Sequence, residues 1–66
     1  MRVSCVATID NKEQRQNLCE CITLLGGVPE INGTDVSVDF ADNKEKCEIM
    51  ISIFEQYPRH GIYEEP

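Results

Sequence analysis

The sequence predicts a single α+β domain, an antiparallel sheet with two helices packed on one of its faces. Three observations carry that prediction. The tetrapeptide Asp-Asn-Lys-Glu occurs twice, at Asp10 to Glu13 and at Asp42 to Glu45. Each copy follows a short apolar, β-branched run and precedes a stretch with the apolar period of a helix. Between the two units lies Asn32-Gly33, whose residues both tolerate positive φ and so favour a hairpin turn. The 66-residue chain therefore reads as one domain built from two similar strand–helix units, about 1–31 and 32–66.

Val3 to Ile9 reads as the first strand, with Val3, Cys5, Ala7 and Ile9 on one face and Ser4, Val6 and Thr8 on the other. Asp10 is placed to cap the helix that follows, with Glu13 completing a capping box. That helix is expected over residues 11–25, with Leu18, Cys21, Ile22 and Leu25 as its buried stripe. Its opening residues, Lys12 to Gln16, are polar and should extend beyond the sheet. Gly26-Gly27 ends it, because glycine accepts the left-handed conformation of a helix C-terminus.

Val28 to Ile31 is expected as a short edge strand, since Pro29 cannot donate a ladder hydrogen bond. From Thr34 to Phe40 the alternation is clean: Val36, Val38 and Phe40 face a core, while Asp35, Ser37 and Asp39 face water. Asp42 is expected to cap the second helix. Cys47, Met50, Ile51, Phe54 and Tyr57 form its buried stripe, widened by Ile49 and Ile53, and Pro58 stops it. Gly61-Ile62-Tyr63 supplies a last short strand. The order β-α-β-β-α-β is the ferredoxin-like arrangement, and right-handed crossovers set its first and third strands side by side.

A chain this short buries only about 60% of the surface its unfolded form exposes, so disulfides, a metal or a partner subunit often supplement such a core. The cysteines do not fit a metal or redox role. Cys19 and Cys21 lack the Cys-x-x-Cys spacing, and residues two apart on a helix point about 200° away from each other. Cys5, Cys21 and Cys47 fall on expected core faces, where free cysteine packs as a small hydrophobe. Whether those three cluster is left open by the sequence. His60 is the only histidine and falls in an expected surface turn. No serine sits in a glycine-flanked nucleophile turn, and Gly26-Gly27 follows a helix where a phosphate cradle would precede one. No catalytic residue, cofactor or metal is therefore expected, and the chain reads as a non-enzyme.

The amino-terminal residues lack a sustained apolar segment, and no run approaches the roughly 18 apolar residues of a membrane helix. A cytoplasmic protein with reduced thiols and no membrane partner is the expectation. Twelve acidic residues against six basic ones give a net charge of −6, which argues against direct nucleic-acid binding. The outward positions of the central strands, Ser4, Val6, Thr8, Asp35, Ser37 and Asp39, offer two carboxylates and no aromatic ring, unlike sheet-type RNA binders. Those six residues are the expected partner-binding surface.

Asp10, with Asp39 and Asp42, raises the prospect of a carboxylate–metal site at one sheet end. Asp10 and Arg15 are placed similarly to the corresponding residues of small CRISPR-associated ferredoxin-like nucleases. The chain is shorter and more acidic than that resemblance requires, and capping already accounts for Asp10 and Asp42. Gly26-Gly27 after the first helix resembles ACT-type ligand-sensing domains, which would imply a small ligand. Asp10-Asn11-Lys12 stands where those domains carry a glycine-containing turn. The favoured reading is a small acidic protein-binding or regulatory module, as a monomer or a homodimer. Two alternatives stand beside it: an inhibitor of phage or mobile-element type whose acidic surface imitates nucleic acid, and the ACT-like sensor.

Overall fold

The computed structural model describes residues 1–65. Its strands are β1 (Arg2–Thr8), β2 (Glu30–Asn32), β3 (Asp35–Ala41) and β4 (His60–Glu65), and its helices are α1 (Lys12–Leu24) and α2 (Lys44–Glu55). The strands form one antiparallel sheet in the order β2-β3-β1-β4. The protein is therefore α+β, with a four-stranded antiparallel sheet and a helix in each crossover.

Two-residue alternation divides the sheet into a dry and a wet side. Val3 lies opposite Phe40, Cys5 opposite Val38 and Ala7 opposite Val36, and all six are buried. Leu18 and Ile22 from α1, and Cys47, Met50 and Phe54 from α2, complete the same core. Both helices thus cover the one face that the apolar positions of β1 and β3 define. Removing such side chains from water is the main favourable term in folding. Ile62 of β4 packs against the margin of this core, half-buried.

The repeated tetrapeptide does start both helices, but the caps are one residue later than expected. Asn11 Oδ1 accepts from the Gln14 N–H at 3.0 Å, and Asn43 Oδ1 accepts from the Lys46 N–H at 2.9 Å. Asparagine and aspartate cap about equally well, and here the side chain with its backbone in the extended region takes the position. Asp10 instead pairs with Arg59 at 3.0 Å, and Asp42 Oδ1 accepts the Asn43 N–H at 2.7 Å. At the other end of α1, the Gly27 N–H bonds to the Ile22 carbonyl and the Gly26 N–H to the Thr23 carbonyl, the Schellman pattern. Gly26 has φ of +93°, as that motif requires.

The stripe of α1 is rotated from the expected one. Leu18 and Ile22 are buried and Leu25 is half-buried, but Cys21 is exposed while Cys19 packs against the core margin. The hairpin loop is Gly33-Thr34 rather than Asn32-Gly33, because Asn32 pairs with Asp35 as the last residue of β2. Only Gly33 has positive φ, at +64°, as in a type II′ turn. β4 is longer than expected, running on through Glu64 and Glu65, and His60 is its first residue instead of a turn residue. Pairing with β1 from Arg2 to Ala7 overrides the low strand propensity of those glutamates.

Candidate interaction surface

Residues directly opposite in an antiparallel ladder share a face. Ser4 is opposite Asp39, Val6 opposite Ser37 and Thr8 opposite Asp35, so the six expected surface residues occupy one uncovered face of the sheet. The edge strands extend this face with residues that alternation on the central strands did not reveal. Gly61 lies beside Val6 and Tyr63 beside Ser4 on one flank. Glu30 lies beside Ser37 and Asn32 beside Asp35 on the other.

The middle of the face is low because its side chains are small. Gly61, Val6 and Ser37 form one row, and a Cβ at Gly61 would already meet Val6 Cγ1 at 3.3 Å. The result is a shallow trough of about 530 Å³, walled by Tyr63 on one side and by Glu30 and Asp39 on the other. Tyr63 is 64% exposed, which supplies the ring that the central strands lack. The expected strand Gly61-Ile62-Tyr63 already carries the signal, since its two-residue period puts Tyr63 on the same face as Gly61.

Two contacts fix the polar groups at the ends of the trough. Arg2 donates from Nε and Nη2 to the two carboxylate oxygens of Asp39, at 3.1 and 3.3 Å. The Thr8 hydroxyl donates to Asp35 Oδ1 at 2.6 Å. Asp39 is therefore partly neutralised by its own neighbour, and the free acidic character of the face comes from Glu30, Asp35 and Glu65. An exposed ion pair of this kind contributes about 0–1 kcal/mol to stability, so the Arg2 contact sets charge more than it holds the fold.

The three carboxylates considered for a metal site are not brought together. Asp10 follows the carboxyl end of β1, near Thr34, whose carbonyl accepts from the Ile9 N–H. Asp42 lies at the opposite end, where its N–H donates to the Met1 carbonyl, and Asp39 is opposite Ser4. Antiparallel neighbours point their carboxyl ends apart, so Asp10 stands roughly 20 Å or more from both Asp39 and Asp42 at about 3.3 Å per residue. Among the described residues, no group of three or more His, Cys, Asp or Glu side chains is placed to hold a metal ion.

The cysteines are all free, and they do not form a three-way cluster. Cys5 and Cys47 are buried, while Cys21 is on the surface. Burial pushes the Cys5 thiol up to about 11, with Cys47 and Glu64 nearby adding to the effect. A thiol so protonated at neutral pH is a poor nucleophile. Cys47 Sγ donates weakly to the Met1 and Asp42 carbonyls, both at 3.5 Å, which ties the start of α2 to the start of β1. The ring of His60 is held by its Nδ1–H on the Tyr57 carbonyl. Among the described residues, no helix is long and apolar enough to cross a membrane. Comparison with protein families, with curated proteins and with solved structures returns no match.

Proposed function

We propose that this chain is a small non-catalytic protein-binding or regulatory module, docking its partner on the uncovered sheet face. The observation that carries the reading is the trough over Ser4, Val6, Ser37 and Gly61, with an exposed tyrosine on one wall and carboxylates on the other. Tyrosine offers a large contact area at little entropic cost and is enriched where proteins meet. The acidic wall favours a partner with a protruding basic or apolar side chain that fits between Tyr63 and Glu30. The strand order, with a helix in each of two crossovers, supports a ferredoxin-like fold, which leaves one sheet face free for such a role. A cytoplasmic setting suits the four free thiols.

The test is affinity capture with three forms of the protein. Tyr63→Ala removes the aromatic wall, Ser37→Arg fills the trough, and Lys44→Ala on the helix side serves as control. The proposal expects both face variants to lose a partner that the parent and the control retain. Capture that survives Ser37→Arg but fails with the helix-side change would overturn it. Raising the salt concentration separates two versions of the reading. A partner lost steeply with salt is held by charge, as a nucleic-acid mimic would hold it, and one retained is held by the trough.

A further inference from the structure

The outer edge of β4 is the other unpartnered element of the sheet, and its ladder shows which backbone groups it leaves free. The Thr8 N–H donates to the Arg59 carbonyl at 3.0 Å, so Thr8 and Arg59 form a hydrogen-bonded pair. Alternation along an antiparallel ladder then turns the groups of Gly61, Tyr63 and Glu65 toward β1. Those of His60, Ile62 and Glu64 point away from the sheet. The other side of β1 agrees: Ile9 bonds to Thr34 and Met1 to Asp42, which commits the odd-numbered residues of β1 to β3 and leaves the even ones for β4. The opposite edge is blunter, since β2 is three residues long and follows Pro29.

We infer that β4 is the dimer edge of this protein, pairing antiparallel with β4 of a second copy about a two-fold axis at Ile62. That register is self-complementary at every position. Ile62 meets its own counterpart, and the outward N–H and C=O groups of His60, Ile62 and Glu64 all find partners. On the helix-covered side, Glu64 lies opposite the second copy's His60, an acidic group against the only histidine. On the uncovered side, Tyr63 lies opposite the second copy's Gly61, where a ring can cover the bare backbone. A slip toward the carboxyl end would set Glu64 opposite Ile62 and lose the complementary pair.

The surroundings of the axis suit a second copy better than an arbitrary strand. Lys44 lines a hollow with Met1, Glu64 and Glu65, so that flank of α2 faces the β4 side. Ile51 lies two helical turns further along the same flank and is half-buried, as is Ile62. Two-fold pairing would bring these apolar side chains of both copies to one seam and extend the small core that a chain of this length has. The four-stranded sheet would double, and the two troughs would lie side by side on one continuous face. The pairing does not depend on the trough being a docking site.

Sedimentation velocity from micromolar to millimolar protein, combined with amide hydrogen exchange, tests the inference. Gly61 and Tyr63 amides, bonded to β1, should be protected at every concentration. Ile62 and Glu64 amides should become protected only as the dimer forms. Glu64→Pro removes an outward N–H without touching the β1 ladder, so it should yield a folded monomer. A parent protein that stays monomeric, a dimer whose Ile62 and Glu64 amides exchange freely, or a Glu64→Pro protein that dimerises normally would each overturn the assignment. Should Glu64→Pro fail to fold, the exchange pattern of the parent decides alone.

Discussion

Helices α1 and α2 begin with the same tetrapeptide and are capped in the same way, yet different contacts hold them to the sheet. α2 is fixed along its length, with Cys47, Met50 and Phe54 all buried. α1 buries only Leu18 and Ile22, and is fastened at its ends. At its start, Arg15 Nη1 donates to the carbonyls of Ile9 and Asp10, at 2.6 and 3.0 Å. At its finish, Gly27 lies so close to the core that a Cβ would stand 2.9 Å from Ile22 Cγ2. A repeated tetrapeptide fixes where a helix begins, while the residues after it decide how the helix is retained.

The largest effect should come from the buried stripe of α2. Phe54 is fully buried and among the bulkiest core side chains, so Phe54→Ala should cost about 3–5 kcal/mol. Domains hold only about 5–15 kcal/mol in total, and a chain of this size sits near the lower end. Urea titration followed by circular dichroism should find Phe54→Ala largely unfolded in buffer. Leu18→Ala, the matching change in α1, should cost about 2–4 kcal/mol and leave a measurable transition. A Leu18 variant less stable than the Phe54 variant would reverse the comparison.

The next effect separates sterics from backbone conformation at two adjacent glycines. Gly27→Ala should cost about 1–3 kcal/mol, because the new methyl meets Ile22, Val38 and Met50 at 2.9, 3.2 and 3.3 Å. Gly26→Ala meets nothing within 4 Å, but it must hold φ of +93°, at a cost of about 1 kcal/mol. Equal losses in chemical denaturation would mean that the close approach of Gly27 to the core contributes nothing beyond the turn.

Much of the core was legible before the structure because burial follows period. Val3, Cys5, Ala7, Val36, Val38 and Phe40 are the alternating positions of two strands, and no other phase would bury them together. The phase of α1 was harder to read, since Cys19 and Cys21 are equally apolar and sit on opposite sides of Leu18 and Ile22. The uncovered face was half legible. Its central residues follow from the same alternation. Gly61 and Tyr63 share one face of the expected last strand, but which face that is depends on the register against β1, set by a pairing that runs on through Glu64 and Glu65. The carboxylates were misplaced for a topological reason. Proximity to a strand's carboxyl end does not bring two residues together when the strands are antiparallel.

The smallest effects concern the two tetrapeptides and test whether their asparagines or their aspartates cap. Asn11→Ala and Asn43→Ala should each cost about 1 kcal/mol, because each leaves a helix N–H without its side-chain acceptor. Asp10→Ala should cost less, about 0.2–1 kcal/mol, since it removes only an ion pair whose side chains are 59% and 80% exposed. Salt distinguishes the two mechanisms. The Asp10 loss should shrink as ionic strength rises, while the Asn11 loss should hold. Combining Asp10→Ala with Arg59→Ala should cost less than the two single changes added together, because they share one contact. An Asp10→Ala loss as large as that of Asn11→Ala, additive with Arg59→Ala and indifferent to salt, would return the capping role to the aspartate.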